Sequence, residues 1–408
     1  MKEKTVIKAI EKLEPDLIDL QNILTGIPAL APESGGEGEL EKARALENWL
    51  VEKGLKNIEF FNSPDPRVKS GVRPNMVVTI NGKNTDRNLW IISHLDVVPP
   101  GDSSLWDSDP WKAEVKHGKI YGRGTEDNQQ GLVSSVGTVL GFFTAGIEPA
   151  INIRLVFAAD EEVGSAHGIQ YLLENTALFK NKDDLIIIPD GGDPEGRTIE
   201  VAEKNLLWLK ITVKGKQSHG SRPDLGCNSR LAGSYLALKL HDLEKIFDKT
   251  DSLFEPPYST FEPTKIEANV PNVNTIPGEE TFYMDMRILP EYSLEMVRKE
   301  VENIKAETEE RYKVKIIITE EQAVESPATP KDSPVIGILS GAVKTVKNVE
   351  AYPVGIGGGT VGSYLRKKGF SPVVWSTLDD MAHQPNEYCL VENMMNDSKI
   401  LALVALRG

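Results

Sequence analysis

The pattern of hydrophobic and polar positions divides the chain into two kinds of segment. Before residue 206, short apolar runs that resemble buried strands alternate with helical patterns. Strands that alternate with helices favour a mainly parallel sheet with helices on both faces. The predicted strands lie at residues 76–80, 89–93, 151–159 and 185–189, and the main helices at 131–145 and 166–175.

From Leu206 the periodicity changes. The run LLWLKITVKG alternates like a strand, and the elements after it are a helix at 228–247, strands at 265–275 and in TFYMDMRIL, a helix at 294–311 and a strand in VKIIIT. The order β-α-β-β-α-β predicts a ferredoxin-like α+β sandwich. The run ESPATPKDSPV reads as a linker. Strands predicted at 349–354 and 373–376 then rejoin the first sheet.

These patterns predict one domain that is interrupted by another. We expect an α/β catalytic domain from residues 1–205 and 321–408, with a mainly parallel sheet covered by helices on both faces. Residues 206–320 are expected to form an inserted α+β ferredoxin-like lid or dimerisation domain.

Composition and charge exclude several classes of function. The net charge of -15 and the pI near 5.1 argue against a nucleic-acid partner. Only Cys227 and Cys389 are present, without a CxxC motif, which indicates a reducing compartment. The N-terminal stretch lacks the uninterrupted apolar run of a signal peptide or membrane span. We therefore expect a cytoplasmic enzyme with neither nucleic acid nor membrane as a partner.

The candidate chemistry lies where predicted strands end. Asp160, Glu161 and Glu162 follow one apolar strand directly, and crowded like charges cost free energy unless a cation absorbs them. In parallel sheets, functional residues gather beyond the carboxyl ends of the strands. Further candidates that follow apolar runs or turns are His94, Asp96, Asp127, Asp190 and His383. Together they predict a dinuclear metal site for hydrolysis.

Each residue type suits a separate task in hydrolysing an amide. Two metal ions supply a Lewis acid and an activated water, and histidine with carboxylate suits zinc, with cobalt or manganese as substitutes. Asp127, in a glycine-flanked turn, suits a bridge between the ions. Of Glu161 and Glu162, one can bind metal while its neighbour acts as general base. Asp96 could hydrogen-bond the His94 imidazole and fix its tautomer.

Six motifs in order along the chain make a resemblance specific. They are SHLDVVPPG, WDSDPW, HGKIYGRGTEDNQQG, AADEEVGS, GKQSHGSRPDLGCNS and AHQPNEY. The chain resembles the co-catalytic zinc aminoacylase/carboxypeptidase family, which includes acetylornithine deacetylases, succinyl-diaminopimelate desuccinylases and carnosinase-type dipeptidases. The resemblance implies two zinc ions per chain and the following site: His94 and Asp190 on one ion, Glu162 and His383 on the other, Asp127 as bridge, Glu161 as general base and Asp96 behind His94.

The same resemblance implies roles outside the metal ligands. His219 resembles a histidine that reaches a partner subunit's active site and stabilises the oxyanion there, which implies a homodimer. Arg287 and Asn274 resemble residues that grip the substrate carboxylate. Three residues of the glycine run are expected to line the substrate pocket: Gly358, Gly359 and Thr360.

Two other functions and two substrate classes stay open. The run GGGTVG also fits the dinucleotide-binding motif GxGxxG, which would make the chain a nucleotide-dependent oxidoreductase, although too few residues follow it to complete that fold. A catalytically dead metal-binding relative is the other alternative, against which the intact Glu161 argues. As a hydrolase, the chain could be an N-acyl-amino-acid deacylase, or else a dipeptidase or other exopeptidase.

Overall fold

A computed structural model describes the whole chain, residues 1–408. The helices are α1 Lys2–Glu11, α2 Glu14–Thr25, α3 Leu40–Glu52, α4 Gln129–Ala145, α5 Ile169–Asn175, α6 Ser229–His241, α7 Leu294–Tyr312, α8 Pro334–Lys347, α9 Gly362–Lys367 and α10 Val391–Arg407. None of them is long and apolar enough to cross a lipid bilayer.

The strands are listed in chain order. They are β1 Ile58–Phe60, β2 Ser63–Pro64, β3 Val72–Arg73, β4 Met76–Ile80, β5 Asn84–His94, β6 Glu114–Lys116, β7 Lys119–Tyr121, β8 Ile151–Ala158, β9 Leu185–Asp193, β10 Thr198–Glu203, β11 Asn205–Lys214, β12 Ser218–His219, β13 Thr260–Ile266, β14 Thr275–Ile276, β15 Glu279–Ile288, β16 Lys315–Val324, β17 Tyr352–Ile356, β18 Pro372–Thr377 and β19 Tyr388–Leu390.

The chain forms two compact units. The first contains Met1–Val201, Thr329–Val354 and Tyr364–Gly408, and the second contains Ala202–Ala328 and Gly355–Ser363. The boundaries expected from the sequence lie after residues 205 and 320. That expectation assigns the whole of residues 321–408 to the outer domain, whereas the structure groups Gly355–Ser363 with the second unit.

The large sheet of the first unit is mixed, which corrects the expectation of a mainly parallel sheet. Its order is β1-β4-β8-β5-β9-β18-β10-β17. Neighbours among β8, β5, β9 and β18 run parallel, whereas β4 is antiparallel to β8 and β10 is antiparallel to β18. For β4 the reason is connection length: only residues 81–83 join it to β5, which is parallel to β8, and a crossover between parallel strands needs a dozen residues or more.

Burial of the central strands explains their apolar composition. Helix α4 packs against β5, β8 and β9 as well as against α1, α2 and α10. With both faces of the sheet covered, β8 is buried at seven of its eight positions, and the side chains need not alternate between polar and apolar. Because β5, β8 and β9 run parallel, their carboxyl ends lie at the same edge of the sheet.

Close packing brings α4 against the middle of β9. A Cβ added at Gly131 would lie 2.3 Å from the Pro189 carbonyl oxygen, so only glycine permits this approach. Just before α4, the Asn128 side chain donates to the Pro189 carbonyl oxygen at 2.6 Å and to Asp190 Oδ1 at 2.7 Å. The helix thus holds the strand that carries Asp190.

The second unit is built on a four-stranded antiparallel sheet of order β13-β15-β11-β16. Strands β11 and β15 pair in unbroken register from Asn205↔Ile288 to Lys214↔Glu279. The strands and the two helices follow one another as β11, α6, β13, β15, α7 and β16. Helix α6 packs on β11, β13 and β15, and α7 packs on α6 and β16.

Two predicted elements of this unit were wrong in their bounds. The strand expected at 265–275 runs instead over Thr260–Ile266, because the segment after it contains Pro271 and three asparagines, which favour turns. The helix expected at 228–247 ends at His241 and continues only as the short 3₁₀ turn Asp242–Lys245.

The packing of α4 generates a test. We expect Gly131→Ala to destabilise the protein by about 1–3 kcal/mol, because the added methyl group pushes α4 away from β9. The matched control is Gly337→Ala in α8, where an added Cβ meets nothing within 4 Å. There, alanine should stabilise the helix by up to about 1 kcal/mol. Chemical denaturation measures both changes, and equal effects of the two substitutions would contradict the packing argument.

Candidate active site

The strand ends and loops of the first unit place six candidate side chains around one point. His94 ends β5, Asp190 lies in β9, and Glu161 and Glu162 begin the turn after β8. Asp127 lies two residues before α4, and His383 lies in the loop between β18 and β19. With Gly191, Gly192 and other residues, five of the six line a cavity of about 300 Å³; His94, buried, lies behind them.

The turn that carries Glu161 and Glu162 is held by its backbone. Asp160 has φ of +66°, in the left-handed region that aspartate tolerates better than most residues. The Asp96 carboxylate accepts from the N–H of Glu161 at 3.0 Å and from that of Glu162 at 3.1 Å. Two charge-assisted hydrogen bonds therefore fix the direction in which both glutamates leave the strand.

This placement changes the role expected of Asp96. The sequence predicted that its carboxylate would hydrogen-bond the His94 imidazole. In the structure His94 Nδ1 lies 3.0 Å from the carbonyl oxygen of Asp96 and 3.5 Å from its carboxylate Oδ1. Since a carbonyl only accepts, Nδ1 carries a proton and Nε2 faces the other candidate residues. The backbone of Asp96 orients His94, and its carboxylate orients the glutamate turn.

Asp127 lies between the two histidines. Its Oδ1 is 3.0 Å from His94 Nε2, and its Oδ2 is 3.1 Å from His383 Nε2. His94 Nε2 also lies 3.6 Å from Asp190 Oδ1, and His383 Nε2 lies 3.1 Å from Glu162 Oε2. By these distances, five of the six side chains form two pairs on either side of the Asp127 carboxylate: His94 with Asp190, and His383 with Glu162.

These distances fit the ligand shell of metal ions. Ligand atoms about 2.0–2.1 Å from a tetrahedral centre lie about 3.3 Å apart, close to the separations of 3.0–3.6 Å found here. Ligand atoms of His94, Asp127 and Glu162, and those of His94, Glu161 and Asp190, each lie within 4.8 Å of one another. Glu162 Oε1 is buried without a hydrogen-bond partner, as a ligand atom would be.

The pKa values show the electrostatic cost of this arrangement without cations. Burial, with the charge of Asp190 second, holds the pKa of Glu161 well above its ordinary value, and burial also raises the pKa of Glu162 and of Asp190. Hydrogen bonds to Asp127 and Glu162 raise the pKa of His383 to about 10. Protons thus partly neutralise the cluster, and divalent ions would neutralise it in their place.

His94 and Asp127 respond to the same field. Burial disfavours the imidazolium of His94, but the charge of Asp190 and the hydrogen bond to Asp127 outweigh burial and hold its pKa well above the usual value. Burial disfavours the charged form of Asp127, yet hydrogen bonds from both histidines hold its pKa below the usual range. Asp127 therefore remains an anion.

The other predicted site residues belong to the second unit and form two groups. His219, on exposed β12, pairs with Thr275, and the Gly220 N–H donates to the Asn274 carbonyl oxygen at 2.7 Å. Ser221 N–H lies 3.2 Å from His219 Nδ1, so the neutral imidazole carries its proton on Nε2 and can donate it. This segment brings His219 beside Asn274.

Arg287 lies beside the glycine run. Its guanidinium donates to both oxygens of Asp285 at 2.7 and 3.0 Å, and to the Gly357 carbonyl oxygen at 2.8 Å. Three of its five N–H groups are therefore used within the unit. In the same run, Thr360 Oγ1 donates to Glu203 Oε1 at 2.6 Å, and nothing lies within 4 Å of a Cβ added at Gly358.

The structure disfavours the dinucleotide interpretation of GGGTVG. The strand before the run, β17, is at the edge of the large sheet, and the helix after it, α9, has six residues. A dinucleotide fold places this motif between a central strand and a helix long enough to bind the pyrophosphate.

Sequence reasoning missed the buried residues that hold the site. Arg73 Nη1 donates to Asp160 Oδ1 at 3.0 Å and its Nε donates to Glu39 Oε2 at 2.6 Å, beneath the glutamate turn. The Glu387 carboxylate accepts from a backbone N–H group of the loop that carries Asp127, and the Glu126 carboxylate accepts from one of the loop that carries His383. The available signal was a glutamate within four residues of a candidate ligand: Glu126 before Asp127 in GRGTEDN, and Glu387 after His383 in AHQPNEY.

Comparison with known proteins agrees with this geometry. The model of peptidase family M20/M25/M40 matches residues 90–407, which include all six side chains of the cluster. The chain belongs to this family. It is a metal-dependent hydrolase, as its relatives and the matching structures indicate.

Individual relatives give the range of similarity. The chain is 43% identical over 411 residues to an uncharacterized metallohydrolase of Methanococcus maripaludis, covering 94% of this chain and 97% of the relative. It is 26% identical over 389 residues to the succinyl-diaminopimelate desuccinylase of Rickettsia bellii, covering 92% of each.

Solved structures share the fold. The dipeptidase Dug1p of Saccharomyces cerevisiae matches with a TM-score of 0.72 and 16% identity, over 99% of this chain and 98% of that one. A dinuclear metal-binding M20 peptidase of Bacillus subtilis matches with a TM-score of 0.66 and 16% identity, over 97% of this chain and 98% of that one.

Proposed function

We propose that this protein is a dinuclear zinc hydrolase that cleaves the amide bond of small N-acyl-amino acids or dipeptides. The observation that carries the proposal is the position of Asp127, whose two carboxylate oxygens each face a different histidine. A carboxylate in this position can bridge two divalent ions. Histidine with carboxylate suits zinc, with cobalt or manganese as substitutes.

The proposed ligand sets follow the two groups of side chains. His94 and Asp190 would hold one ion, His383 and Glu162 would hold the other, and Asp127 would bind both. When bound, the two ions supply Lewis acidity at the amide carbonyl and lower the pKa of water. Glu161 is then the carboxylate of the cluster that is left without a ligand role.

Glu161 is the proposed general base. Its backbone is fixed by Asp96, so its carboxylate is held at the cavity where the hydrolytic water must lie. It takes the proton from the attacking water and delivers it to the leaving nitrogen, so that the proton is conserved through the reaction. His219, protonated on Nε2, donates a hydrogen bond to the developing oxyanion. Arg287 and Asn274 bind the substrate carboxylate, and Gly358, Gly359 and Thr360 line the pocket.

Both substrate classes have support. A relative that matches nearly the whole chain is a succinyl-diaminopimelate desuccinylase, and a matching fold is that of a dipeptidase. Each removes one small unit by hydrolysing an amide, and the cavity of about 300 Å³ in the first unit fits a small molecule rather than a protein.

We also propose that the second unit is a ferredoxin-like lid that pairs with its copy in a homodimer. The order of its strands and helices supports the ferredoxin-like description. Leu231 and Leu238 are seven residues apart on α6 and therefore lie on the same face of the helix. They are 55% and 68% exposed. Exposed apolar residues at this spacing suit a surface that is covered in an oligomer.

The first test of this function compares two variants. Glu161→Gln should retain two zinc ions per chain but lose several orders of magnitude in turnover, because a carboxamide cannot take the proton from water. Asp127→Ala should lose the metal itself. Metal analysis is combined with a substrate panel of N-acetyl and N-succinyl amino acids and dipeptides, each assayed with zinc, cobalt and manganese. Near-native turnover of Glu161→Gln, or no bound metal in the wild-type protein after zinc addition, would contradict the proposal.

The second test asks whether His219 acts across the dimer. We expect mixtures of His219→Ala and Glu161→Ala chains to regain activity that neither parent shows, because each heterodimer then has one site with both native residues. The dimers are verified by differently tagged chains, and metal content is measured in each parent. Verified heterodimers that stay inactive while both parents bind metal would show that His219 does not contribute in trans.

A further inference from the structure

Two buried glutamates, Glu126 and Glu387, connect the loop of Asp127 with the loop of His383. Neither is in a proposed ligand set. Glu126 is 3% exposed and Glu387 is 0% exposed. Both make hydrogen bonds almost entirely to backbone N–H groups, and each reaches from one of these loops to the other.

Glu387 follows His383 and holds the loop before α4. Its Oε1 accepts from the N–H of Glu126 at 2.9 Å and from that of Asp127 at 3.1 Å. Its Oε2 accepts from the N–H of Gly124 at 2.9 Å and from Arg123 Nη1 at 2.6 Å. The backbone of the proposed bridging residue is therefore bonded directly to a carboxylate of the His383 loop.

Glu126 precedes Asp127 and holds the other loop in return. Its Oε1 accepts from the N–H of Asp379 at 2.7 Å, and its Oε2 accepts from the N–H of Met381. Both N–H groups lie just before His383. Each loop thus contributes one carboxylate that binds the backbone of the other loop.

The arrangement meets a need of the site. Asp127 and His383 come from loops without a ladder of regular hydrogen bonds, and His383 itself has φ of +63°. His383 Nε2 must nevertheless lie close to Asp127 Oδ2, which it approaches to 3.1 Å. A tie between the two loops is a direct way to keep these two atoms in register.

We propose that Glu126 and Glu387 form a reciprocal clamp that positions Asp127 and His383 for binding the second metal ion. They are positioning residues and not ligands. The inference rests on the proposed function, because it assumes that Asp127 and His383 bind metal.

Replacement by glutamine tests the clamp at constant size. In Glu126→Gln and Glu387→Gln, one oxygen that accepts from N–H groups becomes an NH₂ donor, so that donors face donors. We expect metal affinity to fall about 10- to 100-fold, the usual loss when a group that orients ligands is removed. The double variant should bind metal little more weakly than the single variant with the lower metal affinity, since the two carboxylates hold the same pair of loops.

Asp184→Asn is the matched control for general destabilisation. Asp184 is 6% exposed, and its carboxylate accepts from the Asn88 N–H at 2.9 Å and from Trp90 Nε1 at 2.8 Å. It precedes β9 at the end of the strand that is remote from Asp190. This variant should lower the Tm and leave metal affinity unchanged.

The measurements are the metal affinity, by competition with a chromophoric chelator, and the magnetic coupling between two Mn²⁺ ions, by electron paramagnetic resonance. The coupling depends on the bridge and does not follow stability. We expect weaker coupling in both glutamine variants and wild-type coupling in Asp184→Asn.

Three outcomes separate the possibilities. Folded glutamine variants with wild-type affinity and coupling would overturn the clamp, as would an affinity loss equal to that of Asp184→Asn at the same fall in Tm. If Glu387→Gln does not fold, Glu126→Gln decides alone. The Glu126 carboxylate binds only two backbone N–H groups, so we expect this variant to fold. A wild-type protein that binds fewer than two ions would contradict the proposed function, whatever the variants do.

Discussion

The repulsion among buried carboxylates at the ends of parallel strands is the constraint on which the rest of the structure depends. Asp127, Glu161, Glu162 and Asp190 lie within a few ångströms of two histidines, where burial disfavours every negative charge. A fold tolerates such a cluster when cations neutralise it. Burial raises the pKa of three of these acids, whereas hydrogen bonds from the two histidines lower the pKa of Asp127. The electrostatic potential therefore differs between neighbouring carboxylates of the cluster.

The residues that hold these groups together are not themselves proposed ligands or catalytic groups. The parallel strands bring their carboxyl ends to one edge, and Gly131 lets α4 approach the strand of Asp190. Below the glutamate turn, Asp96 binds two backbone N–H groups, and Arg73 pairs with Glu39 and Asp160. Because the anchors bind mostly backbone, they leave the lone pairs of the proposed ligands for metal.

The second unit has a different design. Its antiparallel sheet has strands such as β11 with alternating buried and exposed side chains, so one face is buried and polar groups remain on the other. The candidate substrate residues Arg287, Asn274 and His219 come from such strands and from the turns beside them. His219 and Asn274 are exposed, as expected of groups that bind a substrate from solution, and Arg287 is half-buried.

The sequence by itself determined the parts of this protein that depend on local pattern. Apolar runs marked the strands β4, β5, β8, β9 and β18, and a carboxylate directly after such a run marked the cluster, since strand ends meet at one edge of a parallel sheet. The six motifs indicated the family that the comparisons then confirmed.

Tertiary structure decided what depends on contacts between distant residues. Periodicity does not encode pairing, so the antiparallel direction of β4 followed from the short connection between β4 and β5. The carbonyl rather than the carboxylate of Asp96 orients His94, because the carboxylate accepts from the backbone N–H groups of Glu161 and Glu162. Glu126 and Glu387, 261 residues apart, hold each other's loops only in the folded chain, so their places beside candidate ligands in the sequence did not predict which backbone groups they bind.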